Sequence, residues 1–496
     1  MNSSAKADDE PRRSCRHSLG GILLLIALTF FAAWLRFHGL KGHGLWLDEA
    51  SSVLFARMAA AKFWKIMWRQ EGNMLLYYLL LRGWVHVGDT EFLLRIPSVF
   101  FGVISVPMIY YLGRDLFSKS TGMIAATVLS VHPFHMFFSQ EARGYSQLVL
   151  LLLIASWSFV RFTDAPARRL YVFAYPIASA LSMYAHLFTI LVVGSHWLSL
   201  GPIRLRHAGL KRLLGTITAF FFLSLPVEAF ALLKSKGRLN WIPPLTVKSF
   251  LDAMYSMAGY DYGSLVMLVL SLGLVILAVA AAYRSHSERA IFSARFAALW
   301  LILPLATLLL YSIHKPLFYS RYLIICVPAL LLLEAEGVAV VKRSGSLLHW
   351  LWLPAIILLT GMSFRATWHY FEAPMWPDWS LATQLVLANE LPADAVCFNG
   401  NGVEPFLYYL QRKTGISWDS LPKVEFSQGV NCVATLPGKP SDANSGYRRV
   451  WLITTDPTSQ QNDWVMKALV PRYGRPIQRG TFPGDIKIEL LPGAAN

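Results

Sequence analysis

Charge is scarce in this chain of 496 residues: Asp, Glu, Lys and Arg make up 15% of it, against 55% hydrophobic residues. Ordinary soluble domains carry about 25% charged residues, so a wholly soluble protein is excluded. Cysteine is scarce as well. Four are too few for a disulfide framework. Cys15 lies in the N-terminal tail and Cys326 in an apolar run, while Cys397 and Cys432 share the polar C-terminal region. If that region is extracytoplasmic, these two are able to pair or to stay apart. Missing altogether are an H-E-x-x-H pair, a Cys/His metal cluster, a Walker loop and a dinucleotide fingerprint. No short-period repeat and no low-complexity tract is present.

What the chain has in abundance is apolar runs of about 20 residues. A hydrocarbon core ~30 Å thick needs ~20 helical residues to cross. The runs predict an α-helical polytopic membrane protein with about eleven spans, near 19–36, 92–113, 121–138, 144–161, 170–185, 187–200, 213–232, 264–283, 296–312, 322–341 and 347–364. The first follows Arg12, Arg13 and Arg16 and lacks a clean small-residue cleavage pattern, so it reads as an uncleaved signal anchor. The formal net charge is +16. In a soluble protein that would point to nucleic acid, but here the basic residues gather in alternate loops: 114–119, 161–169, 204–212, 284–295 and 342–343. The positive-inside rule then sets the N-terminus in the cytoplasm. Basic surfaces also suit anionic lipid head groups, and no nucleic-acid motif appears.

Met74–Val87 is apolar but only ~14 residues long, too short for a span. Counting it would turn every later basic loop outward, so it reads as an interfacial helix on the outer face. Phe55–Trp68, with basic and aromatic residues, reads as a second one. The apolar stretch 170–200 is split at Tyr184-Ala185-His186. The second outer loop holds Asn240-Trp241-Ile242-Pro243-Pro244 and Tyr255–Tyr262, and the last holds His314, Lys315, Tyr319 and Arg321. After Phe364 the composition turns polar. Ser380–Glu390 predicts a helix; Ala395–Phe398, Arg449–Ile453 and Ile486–Leu490 predict strands. The expected division is a cytoplasmic basic tail (1–18), a transmembrane catalytic domain (19–364) and a small extracytoplasmic α/β domain (365–496).

Two polar islands stand out. In G-L-W-L-D-E-A-S (44–51), Asp48 and Glu49 lie just past the first apolar run. The plain reading of Asp48 is a solvated carboxylate at a helix end. The functional one is a general base, its basicity set between desolvation and nearby arginines. Glu49, the adjacent residue, must point elsewhere, to hold a loop or bind an acceptor. In S-Q-E-A-R-G-Y (139–145), Glu141, Arg143 and Tyr145 sit at a helix mouth. Arginine's planar fork suits phosphate oxygens, and Arg321, between Tyr319 and Tyr322, wants an anion on the outer face for the same reason. Glu71 fits helix N-terminal charge compensation or a hard-cation ligand. His186 is a lone histidine at a helix break, more often a polar lining residue than a ligand. These acids are expected in loops. With no nucleotide cradle, a sugar donor would not be a nucleotide sugar.

L-W-L-D-E-A-S (45–51), E-G-N-M-L-L-Y-Y-L-L-L-R (71–82), G-D-T-E-F-L-L-R-I-P-S (88–98), H-P-F-H-M-F-F-S-Q-E-A-R-G-Y-S (132–146) and Y-S-R-Y-L (319–323) resemble the bacterial GT-C glycosyltransferases. Within these, the chain is similar to the protein mannosyltransferase and lipid A aminoarabinose transferase superfamily, which includes galacturonosyltransferase-like proteins. The resemblance covers about 40–360; P-D-W (377–379) and G-V-E-P-F-L-Y-Y-L (402–410) are similar to tails in the group. It implies a polyprenyl-phosphate sugar donor and transfer on the outer face of the cell's inner membrane to a lipid, polysaccharide or protein acceptor. It also implies Asp48 as base, Glu71 at an acidic position that helps bind a metal in some relatives, and Arg143 and Arg321 near phosphate. One departure is clear: relatives often read acidic-x-His-Pro-Pro here, whereas this chain has Asn73, Met74 and Leu75 after Glu71. That leaves a divalent metal ion open.

The sequence therefore predicts an inverting membrane glycosyltransferase with Asp48 as general base and Glu49 as a second catalytic carboxylate. Glu141, Arg143, Tyr145, His186, Tyr319 and Arg321 would line the donor site. A transporter or flippase of lipid-linked sugars, or an inactive relative, is the alternative. A flippase should show internal repeats or ionisable groups deep in the membrane.

Overall fold

The computed structural model describes residues 19–42, 44–234, 242–259, 265–345, 347–372, 377–391, 394–400, 402–416, 423–426, 430–434, 448–455 and 460–493. The basic tail 1–18 with Cys15, and Asn240, Trp241, Tyr260 and Tyr262 of the second loop, lie outside the described residues.

The first span is α1 (Leu19–Phe37). Four elements follow at its end: α2 (Leu47–Arg57), α3 (Ala60–Ile66), a π-helical turn Met67–Glu71, and α4 (Leu75–Trp84). Then come α5 (Glu91–Leu116), α6 (Lys119–Val131), α7 (Pro133–Ser139), α8 (Tyr145–Asp164), α9 (Arg169–Ala185) and α10 (Thr189–Leu198). The rest of the helical part is α11 (Pro202–Ala208), α12 (Leu210–Lys234), α13 (Val247–Ala258), α14 (Leu265–Arg284), α15 (Glu288–Ser312), a 3₁₀ segment Ser320–Cys326 leading into α16 (Val327–Arg343), and α17 (Trp352–Glu372).

Every one of the eleven expected runs is helical, but fewer are full spans. Among the described residues eight helices are long and apolar enough to cross a membrane, or nine if α6 and α7, bent by 60° at His132-Pro133, count as one. α9 and α10 fall short at 17 and 10 residues, too few for a ~30 Å core at ~1.5 Å per residue. Small residues bring the helices together. A Cβ on Gly113 would stand 2.8 Å from the Cα of Gly122, and one on Gly337 would stand 2.3 Å from the carbonyl oxygen of Leu274. Both are contacts only glycine tolerates, the usual device for close helix packing in lipid.

Of the acids expected in loops, Glu141 lies in one, between α7 and α8, but Asp48, Glu49 and Glu71 do not. Asp48 and Glu49 open a helix, where negative charge faces the positive end of the helix dipole. Glu334 and Glu336 lie inside α16: Glu334 accepts from Ser271 Oγ of α14, and Glu336 accepts from Thr121 Oγ1 at 2.6 Å and pairs with Arg343. Both are therefore matched, which is how buried carboxylates are tolerated in apolar surroundings.

The C-terminal unit follows α17, which runs past the expected boundary at 364. It contains α18 (Trp379–Asn389), β1 (Asp394–Asn399), α19 (Val403–Thr414), β2 (Lys423–Phe426), β3 (Val430–Ala434), β4 (Arg449–Thr454), α20 (Gln460–Tyr473), β5 (Ile477–Phe482) and β6 (Ile486–Leu491). The sheet order is β2-β3-β1-β4-β6-β5, with β1 and β4 parallel and the other neighbours antiparallel. Cys397 is disulfide-bonded, and its register partner on β3 is Cys432. α19 sits directly on the segment that runs from the end of α1 to the start of α5. Tyr409 Oη accepts from the Leu45 amide at 3.0 Å, Tyr408 Oη donates to the Asp89 carbonyl at 2.6 Å, and Arg412 pairs with Glu91 at 2.6 Å. A Cβ on Gly44 would stand 2.9 Å from the Pro377 carbonyl, so a glycine lets the chain slip beneath the C-terminal unit before α2 begins.

Candidate active site

The site assembles where the first turn of α2 meets the 139–145 island and the start of the 3₁₀ segment before α16. In a helix, adjacent residues diverge by ~100°, so the two acids face different partners. Asp48 Oδ2 accepts from Arg321 Nη1 and lies 3.8 Å from Arg143 Nη2. Glu49 turns inward and is fully buried. Its Oε1 accepts from Arg95 Nε and from the Ala142 amide, both at 2.8 Å, and its Oε2 accepts from Arg95 Nη2 at 2.7 Å.

Arg95 also donates to the carbonyls of Leu40 and Gly44 at 3.1 and 3.0 Å. One forked ion pair thus ties α5, α2, the loop before α2 and the second island together. Both oxygens of Glu49 are engaged in this knot, which takes three hydrogen bonds. That sets it apart from a group that meets substrate, and of the two readings given to it, holding a loop is the one its contacts match.

Arg143 donates through Nη1 to Tyr78 Oη at 3.0 Å, Ser52 Oγ at 3.3 Å and the Asp48 carbonyl at 3.4 Å. Its guanidinium lies between the rings of Tyr78 and Tyr145, 6.0 and 5.9 Å from their centroids. Arg321 is flanked likewise, 4.9 Å from the Tyr319 ring and 5.3 Å from that of Trp46. Aromatic faces hold both cations without neutralising them. Their side chains and that of Asp48 remain 12 to 22% exposed, so the three are not sealed from solvent.

His186 closes the α9–α10 break. Asn73 Oδ1 accepts from the Leu187 amide at 2.9 Å, which orients its Nδ2 to donate to His186 Nε2 at 3.2 Å. Burial, with the charge of Arg143 behind it, pushes the imidazole down to about 3. His186 is thus neutral, and Asn73 fastens the segment before α4 to it. The Tyr322 ring is 5.6 Å from that of His186. Glu71 lies in the π-helical turn, where its charge is felt by Tyr78 and Arg143. Among the described residues no three His, Cys, Asp or Glu side chains converge as a metal site.

Glu141 is 1% exposed, and neither carboxylate oxygen has a hydrogen-bond partner. Burial first, then the charge of Glu49, raises it well above the usual carboxylate range.

The structure therefore brings Asp48, Arg143, Tyr145, Glu141, Tyr319 and Arg321 together, with His186 and Glu71 at the rim and Glu49 behind. Arg95, Tyr78 and Ser52 escape a reading of the sequence. The signal for Arg95 is a lone arginine in the first turns of an apolar span, where only a buried partner justifies it.

Residues 74–227 match the family model described as dolichyl-phosphate-mannose-protein mannosyltransferase. No curated protein sequence matches the chain. Among solved structures it is similar to ArnT from Cupriavidus metallidurans bound to undecaprenyl phosphate, with a TM-score of 0.58 at 11% identity, over 96% of this chain and 98% of that one. It is also similar to the Archaeoglobus fulgidus oligosaccharyltransferase tethered with an acceptor peptide, with a TM-score of 0.51 at 11% identity, over 79% of this chain and 59% of that one. The resemblance carried by the motifs is borne out, and the fold is the α-helical GT-C membrane fold with a small C-terminal sheet.

Proposed function

We propose that the protein is a membrane glycosyltransferase that moves a hexosyl or pentosyl group from a polyprenyl-phosphate donor to an acceptor at the outer face of the cytoplasmic membrane. The observation that carries this reading is Asp48 held between Arg321 and Arg143, a base and two phosphate-binding cations in one place. The undecaprenyl phosphate bound to the similar ArnT structure supports the class of donor.

The guanidiniums that hold Asp48 are the groups a phosphate would claim. As the donor's phosphate takes their hydrogen bonds, Asp48 is released to accept the proton of an acceptor hydroxyl or amine. The acceptor attacks the anomeric carbon, the bond from that carbon to the phosphate oxygen breaks, and the polyprenyl phosphate leaves against Arg143 and Arg321. One direct displacement inverts the sugar carbon. Tyr145, Tyr319, His186 and Glu141 line the donor side, and Glu71 flanks it as the one position at which the resemblance puts a metal. The chain divides into a cytoplasmic tail (1–18), a catalytic membrane part that runs from 19 to the end of α17 at Glu372, and an extracytoplasmic unit after it. The disulfide at Cys397 supports an oxidising space for that unit.

The test is transfer in vitro from defined polyprenyl-phosphate sugars, wild type against Asp48→Asn. Sugar transfer by wild type that collapses in the variant is expected. Wild type that translocates the lipid but transfers nothing would replace the reading with that of a flippase.

A further inference from the structure

Glu141 is the polar side chain of the site for which the geometry provides no use. Its carboxyl is enclosed, both oxygens lack a hydrogen-bond partner, and its own backbone is fixed by the Arg143 amide, which donates to the Glu141 carbonyl at 2.7 Å. The next residue, Ala142, gives its amide to Glu49. Glu141 is thus held rigidly beside the Asp48–Arg321 contact by bonds that leave its side chain alone. A buried carboxylate with no donor to satisfy it is among the costliest groups a protein can hold; a buried carboxylic acid is far cheaper.

The charges around it point the same way. Asp48, Glu49, Arg143 and Arg321 act on Glu141 directly, and Glu49 is matched by Arg95. Tyr77, Tyr145 and Tyr370 stand close enough to feel its charge. Arg95, Arg143 and Arg321 against Asp48, Glu49 and Glu71 leave these groups with no net charge if Glu141 is uncharged, and with one net negative charge if it is ionised. A phosphodiester donor brings one negative charge, and the phosphate monoester that leaves brings up to two. The ionised form would set a net negative charge against that incoming anion; the uncharged form does not.

We propose that Glu141 is kept as an uncharged carboxylic acid and donates its O–H as a hydrogen bond to an oxygen of the donor's phosphate, keeping its proton throughout the reaction. This rests on the transferase reading above for the identity of the ligand, but not for the state of the carboxyl. A neutral donor adds a hydrogen bond to the leaving phosphate without adding charge to the empty pocket, and its protonation makes it the pH-sensitive member of the cluster.

Two measurements separate the possibilities. The first is infrared difference spectroscopy of the full-length protein on adding undecaprenyl phosphate. A carboxylic-acid carbonyl band that shifts on binding and is missing from Glu141→Gln is expected. Its absence from wild type overturns the proposal. The second is transfer kinetics across pH. Glu141→Gln keeps a neutral donor of the same shape, so its kcat stays within about threefold of wild type, while Glu141→Ala loses roughly tenfold to a hundredfold, the usual worth of a hydrogen bond to a charged acceptor. Wild-type kcat falls as Glu141 ionises at alkaline pH, and the Gln variant lacks that limb. Gln as inactive as Ala, or Ala as active as wild type with an unchanged alkaline limb, overturns the proposal. If wild type transfers no sugar yet the band is present and shifts, the neutral acid is supported and the transferase reading is what fails.

Discussion

Arg321 donates to the carboxylate of Asp48 across 273 positions of sequence. The two residues stand at the mouths of elements separated by most of the membrane helices, and no local feature of either stretch specifies the contact. The acid has a cation as its resting partner, which means a ligand anion must displace an internal one to bind.

Removing the acid therefore acts on chemistry and binding in opposite senses. Asp48→Asn is expected to lower kcat by roughly 10²- to 10⁴-fold, the usual worth of a positioned base, while the KM for the lipid donor stays level or falls because Arg321 and Arg143 are freed. Steady-state kinetics with the donor varied checks both halves.

Arg143→Lys and Arg321→Lys keep the charge but lose the planar fork and the fit between aromatic faces. The donor KM should rise roughly tenfold to a hundredfold in each, as expected for a lost hydrogen bond to a charged group. Titration with undecaprenyl phosphate alone reads the same loss without catalysis.

The Glu49–Arg95 pair is a matter of stability. It is buried, bidentate and surrounded by backbone it orders. Breaking one side, as in Glu49→Gln, should cost about 3–5 kcal/mol, seen as a lower Tm in detergent. Replacing both residues by methionine should recover much of the loss, because no unpaired charge remains. A double-mutant cycle measures the difference.

His186 gives a pH dependence of known sign. Its folded value is depressed to about 3 from an ordinary ~6.5. The stability tied to its neutral form is complete above the ordinary value and is lost as pH falls from there toward about 3. His186→Gln, which cannot take up that proton, should show a shallower fall of Tm between pH 6.5 and 4 than wild type.

The bond at Cys397 can be tested alone. Peptide mapping without reductant should show Cys397 joined to a second cysteine, and Cys397→Ala should lower the stability of the C-terminal sheet by about 2–4 kcal/mol. A free Cys397 thiol in protein isolated from membranes would argue that this unit faces the cytoplasm.

Much of this architecture was legible in composition. Apolar runs near 20 residues marked the helices, because lipid leaves the backbone no other way to satisfy its polar groups. The break at His186 and three of the six strands were readable for similar local reasons. The count of full spans was not, since α9 and α10 are apolar but short, and only their packing reveals it. Asp48, Arg143 and Arg321 could be named from residue chemistry and motif. The division of labour between Asp48 and Glu49 could not, because it depends on which way a helix is rotated and on Arg95, hidden in the first turns of α5. Strand β2 escaped because its alternation spans only four residues, and β3 and β5 because theirs is not clear.

The phenol of Tyr409 grips the amide of Leu45, three residues ahead of Asp48. A shortened chain ending at Glu372 would keep every membrane helix and both arginines, yet the segment leading into its acidic turn would have lost its anchor. The last quarter of the polypeptide is in this sense a keystone laid over the approach to Asp48, and swapping it for a foreign tail should misalign the acid even where the new tail folds well.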